Sequence, residues 1–153
     1  MSNLIRILIV DDDPADARIG LDAMAEMDLS QHTLVLSDGV QALDFLHARG
    51  TFCDRSPGYP AAILLDVKMP KLSGLEVLES IRADPQLRLI PVVMLTASNL
   101  DRDVRRAYEL GANGYLVKPI DSDACTASLR TFGRFFAEAN RPPPGCLAPP
   151  QTG

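Results

Sequence analysis

The chain has 153 residues, 46% hydrophobic and 23% charged, enough for one domain that buries roughly 70% of its unfolded surface without staples. A formal net charge of -5 argues against nucleic acid or an anionic membrane as the main partner, because both reward basic patches. Cys53, Cys125 and Cys146 show no CxxC or Cys/His spacing, which suggests neither a disulfide framework nor a zinc site and suits reduced thiols in a cytoplasmic protein.

In chain order, a strand is predicted over residues 5–11, IRILIVD, whose branched apolar run fits burial on both faces. It ends in Asp11, Asp12 and Asp13. A helix follows over 14–27, with Pro14 at its first position, Asp13 as N-cap and Asp16 adding favourable charge to the first turn. The second strand, 33–37, leads through the Asp38-Gly39 turn into a helix over 40–49, with Gly50 placed for a left-handed C-cap. Residues 50–60 form a loop longer than such connections usually are, either a partner surface or a tolerated insertion.

The third strand, 62–66, ends on Asp66, and Pro70 and Gly74 punctuate the turn into a helix over 74–83. The fourth, 91–96, ends on Thr96 and precedes a helix over 102–110 closed by Gly111. The fifth, 114–118, ends on Lys118, and a cis Lys118-Pro119 bond would aim the lysine back toward the strand ends. A last helix over 121–139 carries Phe132, Phe135 and Phe136 on one side, as a stripe that packs on the sheet, pairs with a partner, or does both. The Pro-rich residues 141–153 are not expected to pack.

Strand and helix repeated five times imply an α/β fold, a doubly wound parallel sheet covered by helices on both faces. All carboxyl ends of a parallel sheet lie on one edge, where ligand sites of open α/β folds form. Asp11, Asp12, Asp66, Thr96 and Lys118 therefore meet there. Each polar residue alone could simply begin a loop. Together, carboxylates at one place repel unless a divalent cation neutralises them, and hard oxygen ligands suit Mg²⁺. A carboxylate, a lysine and a hydroxyl beside Mg²⁺ suit phosphoryl transfer onto an aspartate. The backbone carbonyl of Lys68, in the turn after Asp66, is a further candidate metal ligand.

The motifs VDDDP, LLDVKMPKLSG, VVMLTAS and GANGYLVKPID, in this order, closely resemble those of the receiver domain of two-component response regulators, over about residues 5–134. The resemblance implies a flavodoxin-like five-stranded sheet in the order 2-1-3-4-5 with five helices. It implies a receiver domain over 1–140 with a flexible Pro-rich tail over 141–153. Carried over residue by residue, it makes Asp66 the phosphoacceptor for a phosphohistidine on a sensor histidine kinase. Asp12 becomes the direct Mg²⁺ ligand, Asp11 the holder of a metal-bound water, and Lys68 the donor of a main-chain carbonyl. Lys118 would pair with the phosphoryl oxygens, Thr96 would be the switch hydroxyl and Tyr115 the coupled aromatic. The readout face would be the fourth helix, fifth strand and fifth helix.

A narrower likeness, carried by the long 47–66 segment, PADARIG, DPQLRLIPVVMLT and the aromatic last helix, is to the regulators that partner bacterial and cyanobacterial phytochromes. It implies a phytochrome kinase and a homodimer through the readout face and C-terminal extension. The Pro-rich residues after the last helix are too few for a helix-turn-helix output domain, so the signal is expected to pass to a histidine phosphotransfer protein or another downstream protein. Two other readings compete. A haloacid-dehalogenase-type phosphohydrolase would use Asp11 and Asp13, but leaves LLDVKMP unexplained. A scaffold that works without phosphorylation would not need the acids, the threonine and the lysine together.

Overall fold

Five short strands, β1 (Ile7–Val10), β2 (Thr33–Leu36), β3 (Ala62–Leu65), β4 (Val92–Thr96) and β5 (Gly114–Val117), form one sheet in the order β2-β1-β3-β4-β5. Every neighbouring pair is parallel. The chain is seen in a computed structural model that describes residues 4–148. The helices α1 (Pro14–Ala25), α2 (Gly39–Leu46), α3 (Gly74–Ala83), α4 (Asp101–Glu109) and α5 (Ser122–Gly133) follow the strands in turn. Among the described residues no helix is long and apolar enough to cross a membrane.

Side chains alternate across a strand, and that alternation decides which helices cover which face. Leu8, Val10, Ile63, Leu65, Val92 and Met94 pack with Ala42, Phe45, Leu46, Val77, Leu78, Ile81 and Ala107 from α2, α3 and α4. Ile7, Ile9, Ala62, Leu64, Val93 and Leu95 point the other way, onto Ala23 and Met24 of α1 and Leu129 and Phe132 of α5. Two cores therefore share one sheet, and β1 is closed to water on both sides. Truncating a side chain such as Ile63 or Leu64 to Ala would cost about 2–5 kcal/mol.

The ends of the helices show where local chemistry stops them. The Asp13 carboxylate accepts from the amides of Ala15 and Asp16 as the N-cap of α1, and Asp38 caps α2 through Gln41 N. Ser73 and Glu76 form a reciprocal capping box on α3. Gly111, at φ +100°, closes α4 as its spacing predicts. The end of α2 differs from the expected Gly50 cap. Ala48 takes the left-handed conformation, Arg49 N bonds Asp44 O and Ala48 N bonds Phe45 O, so the helix stops at Leu46 and Gly50 begins the next turn.

Arg55 explains the long loop. Its guanidinium donates to the carbonyls of Phe45 and Leu46, in the last turn of α2, at 2.6 and 3.1 Å, and to those of Ser56 and Gly58. The loop is thereby folded back onto α2. The expectation that the tail would not pack meets a different arrangement over residues 141–148. Leu147 N donates to Tyr59 O at 2.8 Å and Tyr59 N to Gly145 O at 2.9 Å, so Cys146 bridges beside Tyr59. Prolines cannot donate, but Tyr59, Gly145 and Leu147 supply the pairing groups. The tail beyond Ala148 lies outside the described residues.

The aromatic stripe divides. Phe132 is buried in the core under α5, and Phe136 packs against that core. Phe135, in the π-helical turn Arg134–Ala139 that prolongs α5, is half exposed.

Candidate functional site

Register brings the site together. Val10 stands opposite Leu65, so the next residues, Asp11 and Asp66, leave adjacent strands side by side, and Asp66 N donates to Val10 O at 3.0 Å. Thr96 stands opposite Val117, and Lys118 N donates to Thr96 O at 2.7 Å. The turn after β3 returns sharply enough for Gly74 N to reach Val67 O at 2.8 Å. A Cβ on Gly74 would stand 2.0 Å from the main-chain oxygen of Asp66, so only glycine permits α3 to begin there.

The Lys118 ammonium sits at the centre. Nζ lies 3.1 Å from Asp11 Oδ2, 3.1 Å from Asp66 Oδ2 and 2.9 Å from Asp16 Oδ2. The lysine reaches them from a trans bond to Pro119, since no peptide bond among the described residues is cis, and the suggested cis bond is not needed. Asp11, Asp12 and Asp66 each bring a carboxylate oxygen within 4.8 Å of the others, with Asp12 exposed and the other two buried. This donor set is all hard oxygen and carries a like-charge repulsion that a small divalent cation would relieve, so it fits Mg²⁺ or Mn²⁺.

The electrostatics follow from burial and proximity. Burial pushes the Asp66 carboxyl up to about 6; Lys118 opposes the rise and the Asp11 charge adds to it. Burial disfavours the Lys118 ammonium, but the Asp16 bond and the charges of Asp66 and Asp11 outweigh it, and its pKa is raised. The lysine therefore stays charged.

Lys68 lies in the turn after Asp66 and donates its amide to Asp66 Oδ1 at 3.4 Å. Thr96 is buried at the end of β4, and its Oγ1 accepts from Ser98 N at 3.3 Å. Tyr115 donates its hydroxyl to Ser98 O at 2.9 Å, and Ser98 Oγ bonds Asp103 on α4. Ser98 thus touches both Thr96 and Tyr115. Asp13 points into the helix cap and is not among the three clustered acids, which takes the second acid away from the phosphohydrolase reading.

Asp16 is the site residue that sequence reasoning missed. Its charge also favours the first turn of a helix, and that explanation used the residue up. The available signal was its spacing: it follows Asp12 by four, on the turn of α1 that opens directly above the strand ends.

The family model for the response regulator receiver domain matches residues 7–130. The chain belongs to the response regulator receiver family. Response regulator Rcp1 of Synechocystis sp. is 41% identical over 112 residues, covering 73% of this chain and 75% of Rcp1. The crystal structure of the Mn²⁺-bound form of Rcp1 superposes with a TM-score of 0.82 at 34% identity, over 90% of this chain and 97% of that one. The phosphorylated cyanobacterial phytochrome response regulator RcpA gives a TM-score of 0.85 at 31% identity, over 92% and 99% of the two chains. The bacteriophytochrome response regulator RtBRR gives 0.72 at 48% identity, over 93% and 86%. Receiver-domain response regulators are signalling proteins phosphorylated on aspartate rather than enzymes of metabolism, and the strand order found here is the one their resemblance implied.

Proposed function

We propose that Asp66 is the aspartate that accepts the phosphoryl group, from a phosphohistidine on a sensor histidine kinase, in a Mg²⁺-dependent reaction. The observation that carries this reading is the contact of one ammonium, Lys118 Nζ, with both Asp11 and Asp66 beside a third acid. An Asp66 oxygen attacks phosphorus in line, the new O–P bond replaces the P–N bond of phosphohistidine, and the imidazole leaves with a proton. Lys118 neutralises charge on the transferred oxygens. Asp11, Asp12, Asp66 and the Lys68 carbonyl would hold the cation, which supplies the remaining positive charge.

Thr96 and Tyr115 would carry the change outward through Ser98, which hydrogen-bonds to both and to Asp103 of α4. The readout face is then α4, β5 and α5, where Leu100, Tyr108, Val117 and Ile120 are exposed. A groove of about 340 Å³ lined by Val93, Tyr115, Leu116, Phe132, Phe135 and Phe136 continues that face and supports a homodimer or a downstream protein, such as a histidine phosphotransfer protein, as its occupant. The likeness to RcpA and RtBRR supports a phytochrome as the kinase. The receiver domain is taken to end at about residue 140, and the cytoplasm is its proposed compartment.

Phosphotransfer profiling against sensor kinases, with Asp66→Asn as control, tests the assignment. Transfer lost in the variant supports it. Label on Asp11 with turnover of added phosphate esters would favour the phosphohydrolase, and a wild type that takes no phosphoryl group with Mg²⁺ would favour the scaffold.

A further inference from the structure

We propose that Asp16 is a positioning residue that keeps the Lys118 ammonium aimed at Asp66 through the phosphorylation cycle; the inference rests on Asp66 being the phosphoacceptor. A lysine ammonium has three N–H donors. Here each has one carboxylate: Asp11, Asp16 and Asp66. Two of the three have a second demand on them. Asp11 and Asp66 belong to the cluster of acids that can hold a cation, and Asp66 is also the group to be modified. Asp16 is not in that cluster, and so remains a partner for Lys118 when the other two are engaged.

The placement of Asp16 suits this task. Its backbone is fixed in the first turn of α1, where Asp16 N donates to the Asp13 cap, and α1 is joined to β1 by the metal-site residues themselves. Lysine has a flexible four-carbon stem, and without a fixed anion its ammonium would spread over many rotamers. The anchor makes the shortest of the three contacts, 2.9 Å, and is 32% exposed, so water competes with it and the effect of its loss is moderate.

A purely helical role for Asp16 makes a different prediction: replacing it would weaken α1 without touching the lysine. The test compares wild type, Asp16→Asn and Asp16→Glu, all full chain, for Mg²⁺-dependent labelling by acetyl phosphate. It also records the ¹⁵N-coupled proton signal of the Lys118 ammonium in the metal-free proteins, assigned by its loss in Lys118→Met. Labelling should slow about tenfold in Asp16→Asn, the loss expected for one charge-assisted hydrogen bond. Asp16→Glu should restore most of it. The Lys118 signal, sheltered from water exchange in wild type, should broaden away in Asp16→Asn. Wild-type labelling in Asp16→Asn, or an unchanged Lys118 signal, overturns the proposal. If wild type itself takes no label on Asp66, the underlying reading fails, while the ammonium signal still decides whether Asp16 holds the lysine.

Discussion

Lys118 Nζ and Asp66 Oδ2 stand 3.1 Å apart although the two residues leave strands separated by β4. The ion pair does not fully compensate for burial, because the Asp66 carboxyl still sits at about 6 against an ordinary 3.8. Between those values the folded protein holds a proton that the unfolded chain has released. Stability therefore falls as pH rises through the window from 3.8 to about 6. Asp66→Asn removes the buried charge and should stabilise the metal-free protein by about 3 kcal/mol at pH 7. The gain should vanish near pH 4, as measured by urea unfolding in EDTA.

Mg²⁺ should reverse part of this cost in wild type. At ten times its Kd, a ligand that binds only the folded state adds about 1.4 kcal/mol. Thermal unfolding with and without Mg²⁺ should show this shift in wild type and little of it in Asp12→Ala, which lacks the exposed acid of the cluster.

Gly74→Ala places a methyl group 2.0 Å from the Asp66 carbonyl, a backbone atom that cannot rotate away. The start of α3 must shift. A loss of about 2–3 kcal/mol in denaturant unfolding is expected, with slower phosphorylation of the folded fraction.

The tail can be followed through its cysteine. Burial raises the Cys146 thiol to about 11, whereas Cys53 is exposed. Alkylation at neutral pH should modify Cys53 first. Gly58 sits at φ +103°, and a Cβ there would meet Leu147 Cδ2 at 2.5 Å. Gly58→Ala should therefore loosen the tail and speed modification of Cys146 by mass spectrometric readout, with Cys125 still protected in its core.

Tyr115→Phe deletes the hydroxyl that holds Ser98 O. The expected loss is about 1 kcal/mol of stability, the usual net worth of one such bond. Phosphorylation of Asp66 should continue, while any partner selective for the phosphorylated form should lose that selectivity in a pull-down.

Much of this architecture was legible because the strands are buried on both faces. An apolar run that must end at a polar residue marks its own carboxyl edge, so Asp11, Asp66, Thr96 and Lys118 could be placed before any contact was known. Pattern does not report what a side chain reaches. Asp16 satisfied a local rule and hid a contact 102 positions away in sequence. The tail reads as unpackable by composition, yet the isolated groups of Gly145 and Leu147 pair with Tyr59. Arg55 in the long loop binds carbonyls of α2, and carbonyls leave no trace in a sequence.

The most direct test is to phosphorylate the full chain with Mg²⁺ and a cognate kinase, trap the product by borohydride reduction and map the modified aspartate by mass spectrometry. The account predicts a single modified site at Asp66, absent in Asp66→Asn. Modification at Asp11, Asp12 or Asp16 in wild type, or undiminished labelling of Asp66→Asn, would contradict it.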